Sequence, residues 1–546
     1  MLFWPAVLLM PFVLFGAASA MDYYVDANFG SDDPGSGTEA NPFKTITYAL
    51  GYATSSGDNI YIAGGTYDTA LGESFPLGMN YNVSLLGAGP DVVTVDADQS
   101  AAHVISCISD GSPVISGLTI TGGLAGAATA YSANAFGGGI LIWNCWPTVQ
   151  NCIITENEAT GANAGAAGIA CVGALYGTAS PTIRDSIISH NSVTTTDTAD
   201  GAGGGIGCLA VYWGTCDITI QDCAVVSNSV EAEDSSGSVA GGGIGCAVAD
   251  DSNDTCTAQI TNCLVLNNGL SAPVYAHGGG IYGHLSDLTM LNCTVADNSP
   301  DGVNVSGNTS TLTNSIIWNN GDDIVDMTCS DISHCDISDG TCDGTSGNIS
   351  ENPQFVSMGN GSEYDGYFLY FGGESDKSPC IDTGDTTDEP YGGAGNTEYS
   401  TDVDGYLDMT GGDDVDMGYH YVYGGLTFIT LESFEASCRR GAVLLSWETG
   451  VEIDNAGFLI YRTQGSSPDY TLIGGLIPAR GGPARGASYT LTDTDVAMRV
   501  SYSYYLIDVE TNGRWTVHGP VRARCSGLPT ADRPPRSVSG IRADRR

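Results

Sequence analysis

Six stretches in the middle of the chain share one arrangement of apolar and polar positions: "QNCIITEN" (150–157), "RDSIISHN" (184–191), "QDCAVVSN" (221–228), "TNCLVLNN" (261–268), "LNCTVADN" (291–298) and "TNSIIWNN" (313–320). They align on a small-residue column: Cys152, Ser186, Cys223, Cys263, Cys293 and Ser315. Three positions earlier stands an apolar residue (Val149, Ile183, Ile220, Ile260, Met290, Leu312). One position earlier stands Asn or Asp (Asn151, Asp185, Asp222, Asn262, Asn292, Asn314). Two positions later the residue is β-branched (Ile154, Ile188, Val225, Val265, Val295, Ile317), and five later it is asparagine (Asn157, Asn191, Asn228, Asn268, Asn298, Asn320).

The runs are short, β-branched and alternating, with no helical period, and so predict strands. The two apolar columns have opposite parity about the Asn/Asp position, so the chain must turn a corner there. Asn and Asp tolerate the left-handed backbone that a tight corner requires. A second motif runs in phase: "GGGI" at 137–140, 203–206, 241–244 and 278–281, with "AAGI" at 166–169. The repeats differ in length, and the excess is rich in Ala, Gly, Ser, Thr and Asp, a loop composition.

One such unit cannot bury its own apolar face. Stacked units can, because each column then meets its copy roughly 4.8 Å above and below. The expected fold is all-β: a solenoid of parallel strands, with asparagines passing hydrogen bonds along the stack. Cysteine obeys the same periodicity. Cys171, Cys208 and Cys246 stand two residues after the Ile of their Gly motifs, and Cys145, Cys216 and Cys256 stand seven before the next Cys. Simple stacking of buried thiols is the first reading. Bonds between coils, Cys223–Cys263, Cys208–Cys246 and Cys216–Cys256, are the alternative.

Length and charge narrow the classes. A chain of 546 residues exceeds a single compact core. Acidic residues outnumber basic ones 63 to 17, and before Leu426 the basic residues are only Lys44, Arg184 and Lys377. Such a surface repels nucleic acid and anionic membranes. The N-terminal "LFWPAVLLMPFVLFG", followed by "ASA" at 18–20, predicts a signal peptide over 1–20 and an exported protein. No later run is long enough for a transmembrane helix in the mature chain.

Three segments then carry a resemblance. "YYVDANFGSDDPGSGTEANPFKTITYAL" with "GDNIYIAGGTYD", the repeats, and the closing "NPQFV", "SPCIDTGD" and "TDVDGYLDMTGGDDVDMGYHYV" resemble secreted right-handed parallel β-helix proteins of the pectate-lyase-like superfamily. Among these are bacterial surface proteins containing a domain family of unknown function. The resemblance covers roughly residues 22–424 and implies a right-handed parallel β-helix over 21–424, with an N-terminal cap and a closing segment. Farther on, "VLLSWETGVEIDNAGFLIYRTQ", "ASYTLTDTDV" and "SYSYYLIDVETNGRW" resemble a fibronectin type III-like β-sandwich, assigned to 425–526. This implies Trp447 as core anchor and one of Tyr502–Tyr505 as the corner tyrosine. The Pro- and Arg-rich tail, 527–546, is expected to be disordered.

The superfamily includes polysaccharide lyases, which need a basic side chain to take a proton and a cation to neutralise a uronate carboxylate. Arg184 occupies the outward slot of Gln150 and Gln221, Lys44 belongs to the cap, and Lys377 to the closing segment. Glycoside hydrolases of this fold use Asp pairs with an Arg-x-Lys signature, which the chain lacks. His190 falls in an outward, variable slot, and His277 and His284 flank "GGGIYG" without a marked third zinc ligand. Carboxylates are the stronger lead. Asp402, Asp404 and Asp408 surround a turn glycine, the first two with the alternating spacing of calcium loops though without an EF-hand glutamate at the end, near Asp413, Asp414 and Asp416. A solvated acidic turn is the competing reading. Glu231, Glu233, Asp234, Asp250, Asp251 and Asp254 form a second acidic set, expected to project from loops. The reading adopted is an extracellular β-helix that binds a polysaccharide or cell-surface component, with a Ca2+ site at Asp402, Asp404 and Asp408. The alternative is a calcium-dependent polysaccharide lyase or glycoside hydrolase.

Overall fold

A computed structural model describes residues 20–356 apart from 101–102, 109, 127–135, 162–163, 196–202, 233–237, 249–252, 273–274 and 308. Beyond 356 it describes 367–369, 378–381, 383–384, 399–400, 416–419, 421–422 and 429–525, the last without 440, 453–454, 465–470, 481–486 and 511–514. The signal-peptide region 1–19, the tail, and Lys377, Asp402, Asp404, Asp408, Asp413, Asp414, Glu233, Asp234, Asp250 and Asp251 therefore lie outside the described residues. Among the described residues no helix is long and apolar enough to cross a membrane.

One coil shows how the sequence builds the rod. Ile206–Val211 forms a strand, Tyr212–Gly214 turn, and Thr215–Gln221 forms the second strand. Asp222 makes a left-handed corner (φ 53°), and the chain runs on through Ala224–Val226 to a second left-handed residue, Ser227 (φ 56°). After Asn228, Ser229–Ala232 completes the turn. The next coil lies on this one in parallel and in register: Cys208 meets Cys246, Ile220 meets Ile260, Val225 meets Val265, and Val230 meets Leu270. Repetition gives a 20-stranded sheet and a 10-stranded sheet about one interior, and a 5-stranded sheet whose buried residues, Ala159, Val193 and Val230 among them, form a separate small apolar cluster. This is a parallel β-helix.

The corner column behaves as its chemistry requires. Asn151, Asp185, Asp222, Asn262, Asn292 and Asn314 all have φ between 48° and 54°. The residues preceding the ladder asparagines, Glu156, His190, Ser227, Asn267, Asp297 and Asn319, are left-handed as well (φ 54–56°). Two corners close together turn both flanking apolar columns inward. Val149, Ile183, Ile220, Ile260, Met290 and Leu312 are fully buried, as are Ile154, Ile188, Val225, Val265, Val295 and Ile317. Each such side chain contributes about 1.5–3 kcal/mol.

The asparagines stand in single file. Asn157 Nδ2 donates to Asn191 Oδ1 at 3.0 Å, Asn191 to Asn228 at 2.9 Å, Asn228 to Asn268 at 3.0 Å, Asn268 to Asn298 at 3.0 Å and Asn298 to Asn320 at 3.0 Å. From Asn191 onward each also receives the backbone N–H of the asparagine before it, as in Asn191 N to Asn228 Oδ1 at 3.1 Å, while Asn157 Oδ1 accepts from Gly123 N at 3.0 Å. The ladder thus satisfies the polar backbone of a corner that faces no water.

Cysteine pairing differs from the bonds considered between coils. Cys223, Cys263 and Cys246 are free thiols, and the bond at this level is Cys208–Cys216, within one coil, with Cα atoms 6.2 Å apart. In-register neighbours point in parallel directions, which suits stacking. Cys208 and Cys216 flank a turn and face each other across the interior, which suits a bond. Cys329–Cys342 and Cys438–Cys525 are further bridges.

The first coil is capped by the short helix Ile46–Tyr52, whose Ile46, Ala49 and Leu50 are buried. Thr45 caps its N-terminus, accepting from Tyr48 N, and Glu73 accepts from Ile46 N and Thr47 N at 2.6 and 2.8 Å. At the other end the closing segment lies against the outer face of the 10-stranded sheet. Cys380, Ile381 and Met417 pack on Ile316, and Tyr367 and Tyr419 pack with Val226, Leu264, Leu266 and Ala296. That outer face is apolar in the late coils and needs this cover.

The C-terminal residues form a small antiparallel β domain of a three-stranded and a five-stranded sheet. Trp447 is fully buried, stacked on Tyr489 at 5.2 Å and edge-on to Phe458 at 5.6 Å. The Tyr502 hydroxyl accepts the amide of Ala497 at 2.9 Å, five residues upstream.

Candidate functional site

The two described basic residues of the helix region, Lys44 and Arg184, are occupied. Lys44 Nζ donates to the Leu71 carbonyl at 3.0 Å in the cap. Arg184, stacked between Gln150 and Gln221, pairs with Asp185 at 2.6 Å and with the Gln150 amide oxygen. His284 meets Ser306 at 3.1 Å, and both it and His277 stack on Tyr282. Asp254, expected in a projecting loop, is instead buried and accepts from Gly214 N at 2.9 Å, with its second oxygen unpartnered among the described residues. It serves the turn between the first two strands of a coil, a role that its place in an acidic run does not reveal. Asp416 is buried too.

Two surfaces stand out. The first is an open cleft of about 530 Å³ lined by Asp96, Asp98, Gln99, Thr121, Gly122, Glu156, Glu158, His190 and Ser192. Its origin is a gap in a side-chain column. Glu156 and His190 occupy the same left-handed corner on successive coils, and in the preceding coil that corner is Gly122 (φ 72°). A Cβ there would meet Asp96 Oδ1 at 2.1 Å, so only glycine fits. The missing side chain opens the notch. Asp98 is held by Thr69 N at 3.1 Å and Gln99 by Glu158 at 3.3 Å. Glu158 and Ser192 are register partners on the following strand. The cleft thus gathers four carboxylates, an amide and an imidazole. Neither Lys44 nor Arg184 lines it. Among the described residues no three of these acids converge as metal ligands do; the only such cluster is Cys208, Cys246 and Cys256. His190 enters this cleft because it stacks in register on Glu156, one coil beyond the gap at Gly122, and the repeat alignment shows merely its variable slot.

The second surface runs along the turns between the first and second strands of successive coils. Tyr81, Trp146, Leu175, Tyr176, Tyr212 and Trp213 are all exposed there, Tyr176 by 77% and Tyr212 by 65%. Tyr176 and Trp213 stack across neighbouring coils, centroids 5.2 Å apart and planes within 4°. Trp146 Nε1 donates to the Thr178 carbonyl at 3.1 Å, which fixes its ring. Leu175, Tyr176, Tyr212 and Trp213 have φ between 53° and 65°. Left-handed backbone is uncommon for bulky residues and costs of order 1 kcal/mol or more at each. These residues therefore break two local rules at once, exposing apolar rings and straining their backbone. Such coincidences mark functional surfaces.

Fold and surfaces together define an acidic parallel β-helix with an aromatic edge and a carboxylate cleft. Residues 29–274 match a family model described as a protein of unknown function (DUF1565), a stretch that contains both surfaces. No curated protein matches the chain.

Proposed function

We propose that this chain is an exported β-helix protein that binds a polysaccharide or a glycan-bearing cell surface along its aromatic edge. The observation that carries the reading is the exposed aromatic set on these turns, continuous over the three successive coils of Trp146, Tyr176 and Tyr212–Trp213 and joined by the Tyr176–Trp213 stack, with Tyr81 two coils earlier. Aromatic rings offer large contact area at low entropic cost, and their polar tips keep such a surface soluble. A row parallel to the rod axis suits a linear polymer, because several coils engage one chain and their weak contacts combine. The acidic balance favours a neutral or cationic polymer over an anionic one. The right-handed, pectate-lyase-like assignment and the fibronectin type III-like reading of the C-terminal domain belong to this proposal. The latter is supported by Trp447 and by the Tyr502–Ala497 bond. Calcium at Asp402, Asp404 and Asp408 is part of it as well.

The test is affinity electrophoresis of the full chain on plant, algal and bacterial polysaccharides, with calcium and with chelator. Retardation by at least one polymer is expected, weakened about tenfold or more in Tyr176→Ala/Trp213→Ala. Unchanged retention in that variant would refute the assignment of the edge. The carboxylate cleft supports a second reading, glycoside hydrolysis by a carboxyl pair. New reducing ends that vanish in Glu156→Gln or Glu158→Gln would favour it. The lyase alternative finds neither Lys44 nor Arg184 in the cleft and would have to use His190 as its base.

A further inference from the structure

Two adjacent coils carry cysteine at the same two inward positions. Cys208 is the register partner of Cys246, and Cys216 of Cys256. The lower pair is bonded, while the upper pair consists of thiols, 0% and 2% exposed, that hydrogen-bond to each other. The sulfurs of Cys208, Cys246 and Cys256 all lie within 4.8 Å of one another. In a parallel stack, translation by one coil carries each backbone position onto its copy, so the geometry that permits Cys208–Cys216 recurs one coil higher. We infer that Cys246 and Cys256 form a second disulfide in the oxidised protein, so that two bonds are stacked in the interior and clasp successive turns.

The chemistry balances with a low-molecular-weight disulfide as oxidant. One cysteine thiolate attacks the reagent and expels a thiol. The second cysteine then attacks the mixed disulfide, forms the protein S–S bond and expels the other thiol. Two protein thiols are oxidised and one reagent disulfide is reduced to two thiols. The hydrogen bond with Cys246, and then burial, push the pKa of the Cys256 thiol well above its ordinary value. A thiol so placed is inert in the closed rod. The bond therefore forms while the coil is still assembling. The consequence is local. Cys208–Cys216 brackets Tyr212 and Trp213, and Cys246–Cys256 brackets the next turn, where Asp254 holds Gly214. Together they pin the edge at Tyr212 and Trp213. A thiolate metal site built from the same four sulfurs is the competing chemistry. The sealed apolar surroundings, including Ile218, Ile220 and Ile260, favour the bond.

The full chain, folded in a mixture of reduced and oxidised glutathione, is denatured with its free thiols alkylated and digested without reduction. Mass spectrometry should find a peptide joining Cys246 to Cys256. Two fewer alkylated cysteines are expected than the eleven free thiols of the structure. Alkylation of both Cys246 and Cys256 beside an intact Cys208–Cys216 bond would overturn the inference. So would a Cys208–Cys246 cross-link, or stoichiometric zinc with all four cysteines alkylated. The mapping uses the unmutated protein and is independent of any ligand.

Discussion

Replacing Asn228 by alanine probes the asparagine file at its middle. Asn228 is 1% exposed. Its amide nitrogen donates to Ile188 O at 2.8 Å, Val226 O at 3.2 Å and Asn268 Oδ1 at 3.0 Å. Its oxygen accepts from Asn191 N at 3.1 Å and Asn191 Nδ2 at 2.9 Å. Two amide hydrogens sustain two good donations, so the substitution removes about four hydrogen bonds, each worth roughly 1 kcal/mol net. The groups left behind are buried, and each unsatisfied one costs more than a lost bond between exposed partners. Some are retained: Ile188 O and Asn191 have other neighbours in the stack, and Asn268 Oδ1 keeps the Asn228 backbone N–H at 3.0 Å. The expected loss is therefore about 3–5 kcal/mol. Urea unfolding followed by fluorescence measures it as a shift in midpoint, with the slope reporting whether the rod still unfolds as one unit. Hydrogen exchange should show the largest loss of protection around 188–191 and 266–268, because coils in a solenoid couple mainly to their neighbours. Ser229→Ala is the control. Its hydroxyl makes one exposed bond of 3.3 Å to Ser192, and its effect should stay within about 0.5 kcal/mol. A loss below about 1 kcal/mol for Asn228→Ala, with unchanged slope, would show that the file is incidental to stability.

Gly122→Ala should destabilise the rod by about 1–3 kcal/mol, since it forces a left-handed alanine whose Cβ meets Asp96; thermal unfolding checks this. Burial pushes the Asp336 carboxyl up to about 6, beside Cys380 and the Glu351 N–H. Its folded value lies above the unfolded one, so its contribution is fully present below the unfolded value and is lost as pH rises through about 6. Wild type should thus gain stability relative to Asp336→Asn as pH falls from about 6 toward 3.8, and parallel curves for the two would refute the assignment. Cys438→Ser opens a bridge of sequence separation 87 in the C-terminal domain and should cost it about 2–5 kcal/mol. An unchanged unfolding transition of that domain would contradict this.

The repeat already determined the core. A column of like residues at matched positions can bury its apolar side only by stacking on its copies. The left-handed corners at Asn151, Asp185 and Asp222, the inward columns and the asparagine file were accordingly legible before any coordinates. The surfaces were not. Which thiols bond depended on whether their side chains face each other across the interior, as Cys208 and Cys216 do, or run parallel as in-register neighbours. The cleft arises from an absent side chain at Gly122 beside Glu156 and His190, and the aromatic edge from turns of unequal sequence and length. Repetition encodes what is common to every coil. A functional surface comes from where coils differ, and only the stacked structure brings those differences side by side.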